Sequence, residues 1–166
     1  MISISESAVA VACSGSIGRI TLHNEQRRNA LDQAGWRAIP KAVATLIDQG
    51  ARVIIIAGKG GHFCAGADIT EFDTVRADAA SARTYEDDNV KAFQALAYSP
   101  VPTIAEIRGS CFGGGLGLAA ACDLRLAAKD ATFAVPAAKL GLAYPAAAMD
   151  MLAPAIGPQM LRKMLF

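Results

Sequence analysis

Charge is scarce in this sequence and nearly cancels. Of 166 residues 19% are charged, with 16 Lys+Arg against 15 Asp+Glu, leaving a net charge of +1. So even a balance gives no electrostatic footprint for nucleic acid or an anionic membrane surface, and neither is expected as a partner. There are two histidines, His23 and His62, and the four cysteines (Cys13, Cys64, Cys111, Cys122) have no C-x-x-C spacing. Neither a metal site nor a disulfide framework follows; buried thiols in a reducing compartment are expected. No uninterrupted apolar run reaches the ~18 residues of a membrane span. Residues 1–12 (MISISESAVAVA) lack a positive segment and an A-x-A site, so no leader is read and a cytoplasmic location is expected.

What the chain has in excess is apolar residues, 53% and largely alanine. That excludes a disordered chain and implies a core of small, close-packing side chains. The length suits one domain of about 150 residues. Val9–Cys13 and Ile17–Leu22 read as strands around a Ser14-Gly15-Ser16 hairpin turn. Leu31–Gln49 has a helical apolar face (Trp36, Ile39, Val43, Leu46, Ile47), with Pro40 expected to kink it. Val53–Ala57 reads as a strand buried on both faces, turned by Gly58-Lys59-Gly60-Gly61. Thr74–Asp88 is polar, alanine-rich and expected to be mobile; Asn89–Tyr98 reads as a helix. Thr103–Ile107 is a strand, Gly109–Gly117 a glycine-rich turn and Leu116–Ala121 a buried helix. Leu124–Ala127 and Thr132–Ala134 are short strands. A weak helical segment broken by Pro154 follows, then a helix from Gly157-Pro158 that ends on Met164-Leu165-Phe166. An apolar, uncapped end suggests a chain cut short or packed on a partner. Alternating strands and helices make the class α/β with much parallel pairing.

Nucleotide-binding readings of the glycine-rich turns fail. Gly113–Gly117 does not complete G-x-G-x-x-G, and Gly58-Lys59 is followed by Gly60 rather than Ser or Thr. Gly109-Ser110-Cys111-Phe112-Gly113 has the spacing of a nucleophile elbow, but that fold needs a later histidine and both histidines come earlier.

Two segments have a common design: a strand, a small-residue turn, then a helix start. One is Val53–Ala57 followed by Phe63-Cys64-Ala65-Gly66-Ala67-Asp68-Ile69; the other is Thr103–Ile107 followed by Cys111-Phe112-Gly113-Gly114-Gly115-Leu116. Small residues let backbone approach a ligand, and helix starts leave N–H groups unpaired. Two such N–H groups aimed at one oxygen make an oxyanion hole; tight packing turns are the other reading of the same pattern.

The chain resembles the crotonase (enoyl-CoA hydratase/isomerase) superfamily. The resemblance rests on Arg28-Asn29-Ala30-Leu31, Phe63–Ile69, Pro102–Gly109, Gly113-Gly114-Gly115, Ala121-Cys122-Asp123-Leu124-Arg125 and Leu140-Gly141, in family order across nearly the whole chain. It implies a crotonase-like (ClpP/crotonase) spiral of β-β-α units, here one core domain over residues 1–166 with the C-terminal helical region missing. It implies an acyl-CoA ligand, with coenzyme A present only as part of the substrate thioester and no permanently bound cofactor or metal, and a homotrimer or pair of trimers. Carried over residue by residue, Ala67 and Gly114 donate backbone N–H groups to the thioester oxygen. Ala65, Gly66, Ala67, Asp68 and Ile69 form a strand lining the adenine and pantetheine path. The loop Gln26–Ala30 makes Arg27 and Arg28 candidates for the CoA phosphates, a solvated loop being the alternative. Reactions of the family pass through a thioester enolate, whose charge two preorganised donors stabilise selectively; losing one such donor costs roughly 3–4 kcal/mol.

The resemblance also expects two glutamates as acid and base. The position of the first is Gly117; that of the second, after Phe133-Ala134-Val135-Pro136, is Ala137. Neither residue shuttles a proton, so ordinary hydration is not expected. Tyr144 is a candidate for a malonyl-type decarboxylase or hydrolase reading, with a packed aromatic as its alternative. A non-catalytic module that holds CoA esters is the third reading. Elsewhere, Glu106 is expected to pair with Arg108, Asp68 to cap a helix or loop, His62 to sit in the loop before the first segment, and Asp87 and Asp88 to be solvated.

Overall fold

A computed structural model describes residues 8–165, apart from the side chain of Leu140. Residues 1–7 of the segment read for a leader, and Phe166 of the apolar end, lie outside the described residues. β1 (Val9–Ser14) and β2 (Ile17–Leu22) form the expected antiparallel hairpin, with Val11 opposite Ile20. Alternation buries Val9, Val11, Ile20 and Leu22. α1 spans Gln33–Asp48; it starts there because the Asp32 side chain accepts the Gly35 N–H. Trp36, Ile39, Val43 and Leu46 form its buried stripe, Ile47 is half-buried, and the helix runs on through Pro40.

The remaining order is β3 (Val53–Gly58), α2 (Phe72–Val75), α3 (Ala79–Ala97), β4 (Thr103–Ile107), β5 (Ser110–Phe112), α4 (Gly114–Ala121), β6 (Leu124–Ala127), β7 (Thr132–Ala134), α5 (Ala146–Ile156) and α6 (Pro158–Leu165). The large sheet has the order β1-β2-β3-β4-β6, parallel from β2 onward; β5 and β7 form a second, parallel pair. Strand–strand–helix recurs with the same division: β4 and β6 enter the large sheet, β5 and β7 the small one, and α4 and α5 follow. Short strands that alternate between two sheets bring the ends of several loops to one side.

Several expectations need correction. The stretch Thr74–Asp88 is mostly helical, because Asp78 and Ser81 form a reciprocal capping box that starts α3 ten residues before Asn89. The turn expected over Gly109–Gly117 contains β5 and the first residues of α4. β3 is not buried on both faces: Val53 and Ile55 are half-buried, and β6, at the edge of the same sheet beyond β4, is exposed along its length. α5 passes Pro154 unbroken; the carbonyl that loses its donor belongs to Asp150, which is exposed to water. Cys13 is half-buried, whereas Cys64, Cys111 and Cys122 are buried. Among the described residues no helix is long and apolar enough to cross a membrane.

Asp88 is also not solvated. It is buried in mid-α3 and accepts bonds from Gln33 Nε2 (3.0 Å) and Arg37 Nε (2.7 Å), clasping α3 to α1 beside the edge-to-face Trp36–Phe93 pair. Asp88→Ala should lower unfolding free energy by about 1–2 kcal/mol, the low end for charge-assisted bonds because Arg37 is half-exposed. Asp87→Ala, exposed, should stay within about 0.5 kcal/mol. Urea denaturation checks both.

Candidate functional site

Two backbone segments lie side by side. Cys64 N–H donates to the Ser110 carbonyl (3.0 Å), and Phe112 N–H to the Cys64 carbonyl (2.9 Å), so the residues after β3 run parallel to β5. Farther along, Leu31 N–H donates to the Gly66 carbonyl (2.9 Å) and Asp68 N–H to the Leu31 carbonyl (2.8 Å). In such a parallel bridge the groups flanking Ala67 do the bonding, and its own N–H faces away from Leu31. Ala65–Ile69 is therefore not a continuous strand but a single bridge at Ala67 leading into a 3-10 turn at Ile69–Glu71.

The second segment has a matching peptide. The Gly113 carbonyl accepts the Gly117 N–H (3.2 Å) and the Tyr144 hydroxyl (3.0 Å). A trans peptide fixes its N–H opposite its carbonyl. Anchoring the Gly113 carbonyl thus orients the Gly114 N–H, as anchoring the Gly66 carbonyl orients the Ala67 N–H. Among the described residues neither N–H has a hydrogen-bond partner. Ala67 and Gly114 line one cavity of about 120 Å³ together with Ala65, Gly113, Ala137 and Tyr144.

The approach depends on absent side chains. A Cβ on Gly114 would stand 2.7 Å from the Trp36 ring, and one on Gly115 2.3 Å from the Cys64 carbonyl. Gly66 has φ +97°, and its Cβ would lie 2.9 Å from the Phe112 carbonyl and 3.0 Å from Gly114 N. Gly117 is buried where the Phe93 ring fills the space a Cβ needs, at 2.5 Å. Ala137 presents only a methyl group to the cavity.

The outer residues divide. Arg27 is tied to Asp68 and to the Thr70 hydroxyl. Asp68 also accepts the Thr70 N–H (3.1 Å), capping the 3-10 turn as expected. Burial pulls the Asp68 carboxyl upward, but bonds from Thr70 and the Arg27 guanidinium outweigh it and hold the pKa below its ordinary value. Arg28 is exposed in a left-handed conformation; its carbonyl receives the Ala65 N–H (2.9 Å), while among the described residues its side chain has no partner. Ala30 is buried and Ile69 is 55% exposed at the cavity rim. Burial pushes the Tyr144 hydroxyl pKa well up, so it stays protonated and donating. His62 is outside this cavity: its Nδ1 accepts the Ser110 N–H (3.1 Å), and it borders a separate hollow with Arg19, Glu106 and Arg108. Glu106 pairs with Arg108 (3.3 Å) as expected, and with Arg19 (3.1 Å). Cys111 is buried and its thiol pKa raised by burial, which removes the elbow reading.

Two groups of residues escape the sequence reading. Asn29, buried and left-handed, donates to the Lys59 (2.9 Å) and His62 (2.7 Å) carbonyls and so pins the Arg27–Arg28 loop to the turn after β3. Arg76, Glu86 and Asn89 supply polar groups to the cavity wall; the i, i+3, i+7 spacing of Glu86, Asn89 and Phe93 was the available signal.

Gly66→Ala combines a strained φ with two backbone collisions and should cost about 1–3 kcal/mol. Gly61→Ala, with nothing within 4 Å of the added methyl, should be nearly neutral. Thermal unfolding of the pair measures the closeness of the two segments.

The sequence model of the enoyl-CoA hydratase/isomerase family matches residues 12–166. A Mycobacterium tuberculosis protein named "Probable enoyl-CoA hydratase echA6" is 37% identical over 146 residues, 88% of this chain and 57% of that protein. The mouse mitochondrial Δ(3,5)-Δ(2,4)-dienoyl-CoA isomerase is 30% identical over 166 residues, 94% of this chain and 51% of the enzyme. The crystal structure of an enoyl-CoA hydratase/carnithine racemase from Magnetospirillum magneticum superposes with a TM-score of 0.91 at 37% identity, covering 97% of this chain and 61% of that one. The chain thus spans little more than half the length of these relatives. Within that span it has the crotonase-like α/β fold, and it belongs to the enoyl-CoA hydratase/isomerase family.

Proposed function

We propose that the chain binds an acyl-CoA and stabilises the enolate form of its thioester with the N–H groups of Ala67 and Gly114. The carrying observation is the pair of peptides whose carbonyls are anchored while their N–H groups stay unclaimed at one cavity. Donors held by the fold need no reorganisation as charge develops on the oxygen, which is where such a site gains rate rather than affinity alone. The hydratase and the isomerase among the relatives both bear names that specify CoA esters, in keeping with this ligand class.

With Gly117 packed on Phe93 and Ala137 presenting a methyl, no proton carrier stands at either position where the resemblance expects a glutamate. Enolate stabilisation is accordingly the proposed common step, and hydration is not. Tyr144 is a positioning residue in this reading: its proton is committed to the Gly113 carbonyl, which aims the Gly114 N–H. A decarboxylase of malonyl-type esters remains compatible, because loss of CO₂ needs a stabilised enolate and no base.

Calorimetric titration with acetoacetyl-CoA against free CoA tests the proposal. The enolisable ester should bind at least ~10-fold more tightly, about 1.4 kcal/mol. Tyr144→Phe should narrow that ratio and leave CoA affinity unchanged, because the Gly113 carbonyl then keeps one donor instead of two. Equal affinity for ester and CoA would remove the enolate site. Gly114→Pro is a poorer probe, since its ring would strike Trp36.

Arg28 is the proposed phosphate contact. Arg28→Ala should weaken CoA binding several-fold, with a salt dependence shallower than the parent's. Arg27→Ala should act chiefly on stability through Asp68.

A further inference from the structure

Beyond the thioester end, the cavity wall carries a charged pair that enolate stabilisation does not use. Arg76 Nη2 donates to Glu86 Oε1 (3.0 Å), and the guanidinium lies over the rings of Phe72 (5.3 Å) and Tyr85 (6.0 Å). The Arg76 side chain is 20% exposed and that of Glu86 39%, and both residues line the cavity. Among the described residues no other side-chain hydrogen bond involves Arg76 or Glu86, so the pair keeps free N–H donors and a free carboxylate oxygen. Glu86 is the only carboxylate among the described lining residues. The largely shielded Arg76 guanidinium faces the cavity with donors that a further acceptor would satisfy.

α3 gives the depth. Phe93 abuts Gly117, Asn89 Oδ1 lies 3.7 Å from the Cβ position of Gly114, and Glu86 comes one turn earlier on the same face. Three residues rise roughly 4.5 Å, so the pair sits a few carbon atoms beyond the thioester end. Asn89 reinforces the pattern. It is nine-tenths buried, and its Nδ2 donates to the Tyr85 carbonyl (2.7 Å). That bond fixes Oδ1 as the atom left for the cavity, an acceptor without a partner among the described residues.

We infer that the Arg76–Glu86 pair is a recognition site for a hydroxyl group carried on the acyl chain beyond the two carbons next to the thioester. A hydroxyl accepts from the guanidinium and donates to the carboxylate, matching both partners at once. A plain alkyl chain would desolvate the pair without replacing water's bonds. A terminal carboxylate would meet Glu86 as a like charge. The cavity, about 120 Å³ against ~150 Å³ for one that admits benzene, suits short acyl groups. The inference rests on the acyl-CoA reading above.

The test is calorimetry on the chain with butyryl-, 4-hydroxybutyryl-, valeryl-, 5-hydroxyvaleryl- and succinyl-CoA, with free CoA as baseline. One of the hydroxy esters should bind about 10-fold more tightly than its alkyl counterpart. Arg76→Met, which keeps apolar contact with Phe72 and Tyr85, should abolish that preference without weakening the alkyl esters. Glu86→Gln should raise succinyl-CoA affinity, a gain that misfolding cannot produce. Equal binding of hydroxy and alkyl esters, tightest binding of succinyl-CoA to the unaltered chain, or a uniform loss in Arg76→Met would each overturn the inference. If no ester binds better than free CoA, the acyl-CoA reading falls, and this one with it.

Discussion

The contact on which the rest depends is backbone against backbone. The residues after β3 lie along β5 closely enough for the Cys64 carbonyl to receive the Phe112 N–H and for Gly115 to rest on it. That closeness is possible only because Gly66, Gly114 and Gly115 offer no Cβ. The two sheets, the parallel crossovers through α3 and α4, and the loop between β2 and α1 that carries Leu31 all serve to bring these ends together. Side chains then do secondary work. The Tyr144 hydroxyl holds the Gly113 carbonyl, the Leu31 backbone N–H holds that of Gly66, and the opposite end of each peptide is oriented without any flexible group at the centre.

The composition of α4 has the same origin. α4 is buried along nearly its whole length between the small sheet and α3, and a helix so enclosed must be built of glycine, alanine and leucine. Packing that tight leaves no room for a chemically active side chain at Gly117, where Phe93 already stands. Polar chemistry at the cavity is displaced outward along α3 to Asn89 and Glu86 and across to Arg76.

Elements with a clear period or strong punctuation were legible in the sequence: the hairpin, the α1 stripe, β3, β4 and the buried α4. The first half of α3 was not, because its composition is polar and its start depends on Asp78 and Ser81 answering each other, a pair easily read as loop. The backbone donors at Ala67 and Gly114 were visible only through the family resemblance; strand–turn–helix patterns by themselves serve packing equally well. Asp88 was misplaced because a carboxylate on a polar helix looks solvated until the partner helix supplies Gln33 and Arg37. Arg76, just after α2, and Glu86, within α3, are ten residues apart, and no local pattern joins them.

Cys64 and Cys111 face each other across the same pair of segments, buried and protonated, with burial pushing the Cys64 thiol up to about 12. Thiolate, the reactive form, is therefore almost absent while the segments are joined. Alkylating reagents can reach these sulfurs only when the backbone contact parts. The seam beneath the cavity thus carries its own chemical clock, in which the rate of thiol modification counts how often the two segments separate.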